Sequence, residues 1–173
     1  MRYIHSVSQV TPAESEPAPP RLPQELLAKS GFLMVRLGTE FRSRAVGALV
    51  EAGFSQYHYS VLALLHEQDR ETQAEIAEAL DLDPSQLVGI LDSLEQRGVI
   101  ARQRDPRDRR RHLVSLTTEG RRQLRRLRTA IDRLEDQLFA PLDPGERARL
   151  HAMLLRLAEY HDPHCGGEGT ATS

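Results

Sequence analysis

Two short segments, each opened by its own helix cap and separated by a tight connection, constrain this chain more than any other feature. Thr72 has the character of an N-cap, and Glu75 stands three positions on, where its carboxylate can return to the Thr72 amide and close a capping box. The helix opened there carries Ala74, Ala77 and Leu80 as its expected inner face. Asp81-Leu82-Asp83 connects it to a second helix, with Asp83 as cap, Pro84 at the tolerated first position and Gln86 placed to complete a second box. Leu87, Ile90, Leu91 and Leu94 recur at i, i+3, i+4 and i+7, which predicts one buried stripe, and Gly98 ends the helix as a left-handed cap. Two such helices joined by so short a turn form a helix-turn-helix arrangement.

The segment after Gly98 narrows the reading. Val99-Ile100 and Leu113-Val114-Ser115-Leu116 predict two short strands around the loop Arg104-Asp-Pro-Arg-Asp-Arg-Arg-Arg111, which holds five arginines in eight positions. A loop of that composition is either a solvated charge run, balanced by Asp105 and Asp108, or an arm for a groove of strongly negative potential. Taken alone the run favours the first, but its place directly after a capped helix-turn-helix favours the second. The formal net charge is only −2, yet residues 97–128 contain 12 arginines against Asp105, Asp108 and Glu119, while the rest of the chain holds 11 basic and 22 acidic residues. A basic stripe on an acidic body is the electrostatic footprint of a nucleic-acid binder.

The flanks are helical in pattern. Residues 24 to about 50 carry Leu33, Met34, Leu37, Phe41, Ala45, Ala48 and Leu49 at helical spacing, with Gly53 just beyond. Ser55 is a plausible cap for a helix whose inner face is His58, Val61, Leu62 and Leu65. Past Thr117, Leu124, Leu127, Ile131, Leu134 and Leu138 follow a 3-4-3-4 spacing, read equally as a coiled-coil-like seam or as packing within the subunit. Pro141 breaks that helix. A last one starts near Asp143-Pro144 and is expected to bury Leu150, Met153, Leu154 and Leu157. Residues 1–23, with five prolines from Pro12 to Pro23, read as a disordered extension, and residues 161–173 as a flexible tail. The single cysteine, Cys165, allows no intramolecular disulfide, and no apolar run reaches the ~20 residues of a membrane span. These features predict a cytoplasmic protein without membrane contact. No catalytic arrangement, cofactor loop or metal motif stands out, so an enzyme is not expected; His161, His164 and Cys165 are a poor metal set beside Gly166-Gly167.

On the segments Thr72–Ala77, Leu82–Ser85, Leu91–Ile100, Arg104–Arg110 and Leu113–Thr117 followed by Glu119-Gly120, the chain resembles the MarR family of winged-helix regulators over roughly residues 24–160. The resemblance implies a mainly α fold: a winged helix-turn-helix lobe over 55–117 with a short β-hairpin wing, flanked by long N- and C-terminal dimerisation helices over 24–53 and 118–160. It implies a homodimer that binds double-stranded DNA as a repressor. A two-fold dimer calls for a palindromic operator with half-sites about one helical turn apart. The second of the two helices would lie in the major groove with Ser85, Gln86, Gly89, Asp92 and Ser93 outward. Gln86 suits adenine, and Ser85 a base or a phosphate. Gly89 either permits close approach or is a tolerated defect. Thr72 and Gln73 would donate to a phosphate. In the family the second arginine of the Asp-Arg-Arg wing enters the minor groove, which carries over to Arg110 oriented by Asp108. Arg107 and Arg109 then read as phosphate clamps, and Arg102 and Arg104 as either. Arg121, Arg122, Arg125, Arg126 and Arg128 contact DNA or merely solvate their helix. The resemblance further implies release by a small aromatic effector, for which Phe32, Arg36, Tyr57, His58 and His66 are candidates beside their simpler reading as core or structural residues. Peroxide sensing by a first-helix cysteine is not expected, since none is there. The rival reading is a winged-helix protein-interaction module without specific DNA binding.

Overall fold

The computed structural model describes residues 21–68, 71–106, 108 and 111–166. Its elements are α1 (Gln24–Leu27), α2 (Ser30–Glu51), α3 (Gln56–Glu67), β1 (Glu71–Thr72), α4 (Gln73–Ala79), α5 (Pro84–Gln96), β2 (Ile100–Arg104), β3 (His112–Leu116), α6 (Thr118–Leu138) and α7 (Pro144–His161). The chain divides into two units, residues 1–36 and 37–173, with the division inside α2. The expected extension over 1–23 lies outside the described residues but for its last three, and so does the tail beyond 166. One expected helix from residue 24 is in fact two. The Lys29 amide bonds the Leu26 carbonyl in a tight turn that ends α1 before α2 begins. After α7, Pro163–Cys165 forms a single 3₁₀ turn.

Caps written in the sequence set the boundaries of the second unit. Ser55 accepts from the His58 amide, Thr72 from that of Glu75, Thr117 from that of Gly120 and Asp143 from that of Glu146. Each satisfies a backbone donor that a helix N-terminus otherwise leaves unpaired, and each contributes about 1 kcal/mol. Gly53 (φ 83°) and Gly98 (φ 68°) end α2 and α5 in the left-handed region. Asp81 (φ 47°) does the same in the turn after α4, one of the few non-glycine types that tolerate it.

These helices surround one core. Val61, Leu62 and Leu65 of α3, Ile76 and Ala77 of α4, Leu87, Leu91 and Leu94 of α5, Val99, Ile100, Val114 and Leu116 of the strands, and Leu124 and Leu127 of α6 are all buried together. Burial of each large aliphatic chain here contributes roughly 1.5–3 kcal/mol. The α4 face is a correction. Ala74, expected inside, is exposed, and Ile76 takes its place, because the Thr72 cap fixes the helix phase with Ile76 and Ala77 inward. The sheet has the order β1-β3-β2, all antiparallel, with Ile100 opposite Leu116 and Arg104 opposite His112. The two-residue β1 ties the start of α4 to the hairpin through Glu71 opposite Val114 and Thr72 opposite Leu113.

The seam of α6 splits along its length. Leu124 and Leu127 are buried in the subunit, whereas Ile131, Leu134 and Leu138 are only half-buried. The expectation that α7 buries its apolar residues fails within one chain. Met153, Leu154, Leu155 and Leu157 are exposed and Leu150 is half-buried among the described residues. Arg147 fixes the turn into α7, donating to the carbonyls of Phe139 (3.1 Å) and Leu142 (3.3 Å) and to Asp136 Oδ1 (2.9 Å). Along α2 the apolar face changes in the same way: Leu49 is buried and Phe41, Ala45 and Ala48 are half-buried, but Leu37, Val46 and Val50 are exposed, as are Leu33 and Met34 in the first unit.

Candidate nucleic-acid interface

Helix α5 is placed by its inner stripe. With Leu87, Leu91 and Leu94 buried and Ile90 half-buried, 3.6-residue periodicity turns Ser85, Val88, Gly89 and Asp92 to the opposite side. Ser85, Gln86, Gly89 and Asp92 are exposed as the sequence predicts, and Ser93 is half-buried. Val88 was not foreseen; it is an exposed β-branched residue in the middle of the outward face. An extra methyl at Gly89 would meet nothing within 4 Å.

The cap of α5 differs from the expected box. Asp83 Oδ1 accepts from the amides of Ser85 (2.8 Å) and Gln86 (3.4 Å) and from the Ser85 hydroxyl, but no reciprocal bond from the Gln86 side chain closes a box. The Gln86 side-chain carboxamide is left outside the cap. Accepting first from the Ser85 hydroxyl and then from the two amides holds the Asp83 carboxyl below its ordinary range.

At the start of α4 the capping box is complete. The Thr72 amide donates to Glu75 Oε2 at 2.7 Å and its hydroxyl oxygen accepts from the Glu75 amide at 3.3 Å. The Thr72 amide, expected to face a phosphate, is therefore spent within the cap, and Thr72 is buried. Gln73 beside it is half-buried. The hydrogen bonds from Thr72 lower the Glu75 carboxyl, while burial, and then Glu75 itself, raise that of Glu71.

The hairpin β2–β3 forms the wing. Arg104 ends β2 and Arg111 immediately precedes β3, both exposed, and Asp108 lies 3.6 Å from Arg111. Arg107, Arg109 and Arg110 lie outside the described residues. Arg102 has a role that sequence reasoning left open. Its guanidinium reaches back to α5, 2.5 Å from Asp92 Oδ1 and 3.6 Å from Glu95 Oε2, and only 17 % of its side chain is exposed. Its buried Nε makes no hydrogen bond. The arginine thus pairs with two carboxylates on or beside the outward face of α5, offsets one of their two negative charges and ties the wing to that helix. Only strand register brings a residue ten positions away onto Asp92, so the helix pattern alone gave no signal for it.

One junction holds wing and helices in register. The Thr117 amide donates to the Val99 carbonyl (3.1 Å) and its hydroxyl to the Gly98 carbonyl (2.7 Å), while the same hydroxyl oxygen accepts from the Gly120 amide (3.0 Å). Gly120 sits so close to this turn that a Cβ there would lie 1.9 Å from the Val99 oxygen. On α6, Arg122 is paired with Glu119 at 2.6 Å, Arg121, Arg125 and Arg126 are exposed and Arg128 is half-buried.

The five effector candidates fall into separate settings. In the first unit the Arg36 guanidinium stands 6.0 Å from the Phe32 ring centre. In the second, Tyr57 and His66 are exposed on α3. His58 is committed to structure: its Nδ1 accepts from the Ser55 amide (3.1 Å) and its ring lies edge-on to Phe54. Burial, and then the nearby Arg97 charge, lower its pKa below 6.5.

A three-stranded hairpin sheet behind paired helices α4 and α5 defines this lobe as a winged helix-turn-helix. Residues 54–112 match the family model described as MarR family. The chain is 32 % identical over 117 residues to a putative transcriptional regulatory protein for the hcr operon of Thauera aromatica, covering 68 % of this chain and 70 % of that one. Among solved structures, a MarR-family transcriptional regulator from Rhodococcus sp. RHA1 is similar at 35 % identity and a TM-score of 0.63, over 74 % of this chain and 91 % of that one. CouR from Rhodococcus jostii RHA1, solved bound to p-coumaroyl-CoA, is similar at 35 % identity and a TM-score of 0.64, over 79 % and 96 %. The chain belongs to the MarR family of transcriptional regulators. Among the described residues no helix is long and apolar enough to cross a membrane.

Proposed function

We propose that this regulator binds a palindromic DNA operator as a homodimer and represses transcription. The observation that carries the reading is the outward face of α5, solvent-exposed and polar at its N-terminal end, set beside a wing whose loop holds five arginines in eight positions. Ser85 and Gln86 meet base edges in the major groove, and Gln86 is free of its cap to pair with adenine. Arg110 enters the minor groove, with Arg104, Arg107 and Arg109 on phosphates. Arg102 acts from behind, reducing the repulsion that Asp92 and Glu95 would exert on the DNA backbone.

Dimerisation is supported by the uncovered apolar residues. Met153, Leu154 and Leu157 share one exposed face of α7, and α2 exposes Leu37, Val46 and Val50. Patches of this kind are costly on a monomer and suit a second copy of the chain. Release by a small aromatic effector is supported by the relative solved with p-coumaroyl-CoA, a phenolic thioester. In this chain Arg36 sets a cation 6.0 Å from the Phe32 ring centre, a charge and an aromatic face that suit an anionic aromatic effector.

Selection from a pool of randomised duplexes tests the reading. Recovery of one two-fold-symmetric sequence, with half-site centres about one helical turn apart, is the expected result. A pool that enriches nothing would favour the protein-interaction alternative.

A further inference from the structure

The outward face of α5 carries an apolar patch that hydrogen bonding to DNA does not use. Val88 is 45 % exposed, although a valine gains nothing from a solvated helix position and is among the weaker helix formers there. It borders a shallow groove of about 290 Å³ between α4 and α5, lined by Gln73, Ala74, Ala77, Pro84, Leu87 and Val88. Ala74 and Pro84 are exposed beside Val88, and Gly89 leaves open space next to it. This patch is separate from the apolar stripes of α2 and α7. It lies among polar groups, Ser85, Gln86 and Gln73, and beside a wing rich in arginine, so a polyanion is the partner whose charge fits its surroundings. A polyanionic duplex offers one apolar group in its major groove, the thymine C5-methyl.

We propose that Val88, with Ala74 and Pro84 at its side, reads a thymine methyl in each half-site and is a specificity-determining residue of this regulator. The inference rests on the DNA-binding reading above and deepens it. Val88 occupies the centre of the Ser85–Asp92 face, one turn from Ser85, so the methyl it packs against belongs to a base next to the one that Ser85 and Gln86 contact. Cytosine, lacking the methyl, leaves the patch against water.

The test uses the full chain and the duplex recovered by selection. Thymines are replaced by deoxyuridine one position at a time, symmetrically in both half-sites, which removes the methyl and keeps every hydrogen-bonding group. Wild type should lose about fourfold in affinity per buried methyl at one thymine position, and so roughly sixteenfold for the symmetric pair. Val88→Ala should bind the thymine duplex more weakly than wild type and be indifferent to deoxyuridine at that position. Its circular-dichroism melting curve should match or exceed wild type, because the site is exposed and alanine favours the helix. Wild type binding every deoxyuridine duplex as tightly as the thymine one would overturn the inference alone, as would a Val88→Ala variant that keeps the wild-type ratio. A pool that yields no preferred duplex would overturn the DNA-binding reading and this inference with it.

Discussion

Replacing Gly120 by alanine should destabilise the protein, although an alanine in a helix is ordinarily an improvement. The added Cβ would lie 1.9 Å from the Val99 carbonyl oxygen and 3.0 Å from its carbon, where real Cβ contacts are essentially never below 3.0 Å. Helix α6 must therefore move about 1.1 Å from the α5–β2 turn. Nothing flexible can yield, because the obstacle is backbone, held by the Thr117 amide and by the start of β2. Overpacking of this severity costs about 3 kcal/mol. The displacement also strains the Thr117 cap, which contributes about 1 kcal/mol. Helix propensity returns about 1 kcal/mol, which leaves a net loss of roughly 3 kcal/mol. At about 2–4 °C per kcal/mol for a chain of this size, the melting temperature should fall by roughly 6–12 °C. Gly89→Ala is the matched control: an exposed mid-helix glycine with nothing within 4 Å of its Cβ, it should gain about 0.5–1 kcal/mol. Both variants are melted at equal protein concentration, since dimerisation couples to stability. The reasoning is refuted if Gly120→Ala melts at or above wild type, or if the two glycines respond alike.

The same geometry gives three further outcomes. Arg102→Ala should cost under about 1 kcal/mol of stability, because its partners are half-exposed, yet weaken DNA binding by about tenfold; adding Asp92→Asn should restore much of the affinity, which it would not do if Arg102 gripped a phosphate directly. Arg110→Ala should lose ~1–3 kcal/mol of binding, and titration against the selected duplex reads this directly. His58 accepts the Ser55 amide through an unprotonated Nδ1, and its folded pKa is lowered, so its contribution is fully present above about pH 6.5 and is lost as pH falls through the folded value. The melting-temperature advantage of wild type over His58→Gln should accordingly shrink as pH is lowered from about 7.5 to about 5.5; a gap that stays constant would contradict this.

Much of the lobe was legible because caps are local. Thr72 with Glu75, Asp83 with Pro84, and Gly98 place three helix ends from single residues, and the leucine stripe of α5 orients that helix. The errors arose where phase or partner is not local. Alanine and isoleucine at 74 and 76 both look apolar in the sequence, and only the closed Thr72 box decides which one turns inward. Val88 belongs to neither the leucine stripe nor the polar outward set, and it is exposed because Leu87 and Leu91 already fix the buried face. The apolar spacing of α7 marks a face to be covered but not what covers it, and Met153, Leu154 and Leu157 are exposed among the described residues. Arg102 looks like any other arginine of the wing until strand register sets it on Asp92. Gly120 stood out only as part of a motif, and its reason is the Val99 carbonyl beside it.

Fluorescence anisotropy of the full chain on DNA from upstream of its own gene, against scrambled DNA across a salt series, tests the central claim most directly. The account predicts tight binding that prefers the native sequence and falls steeply with salt, by about a factor of 10³ or more between 50 mM and 200 mM if six or more phosphates are contacted. Equal, weak binding to both sequences at every salt concentration would contradict it.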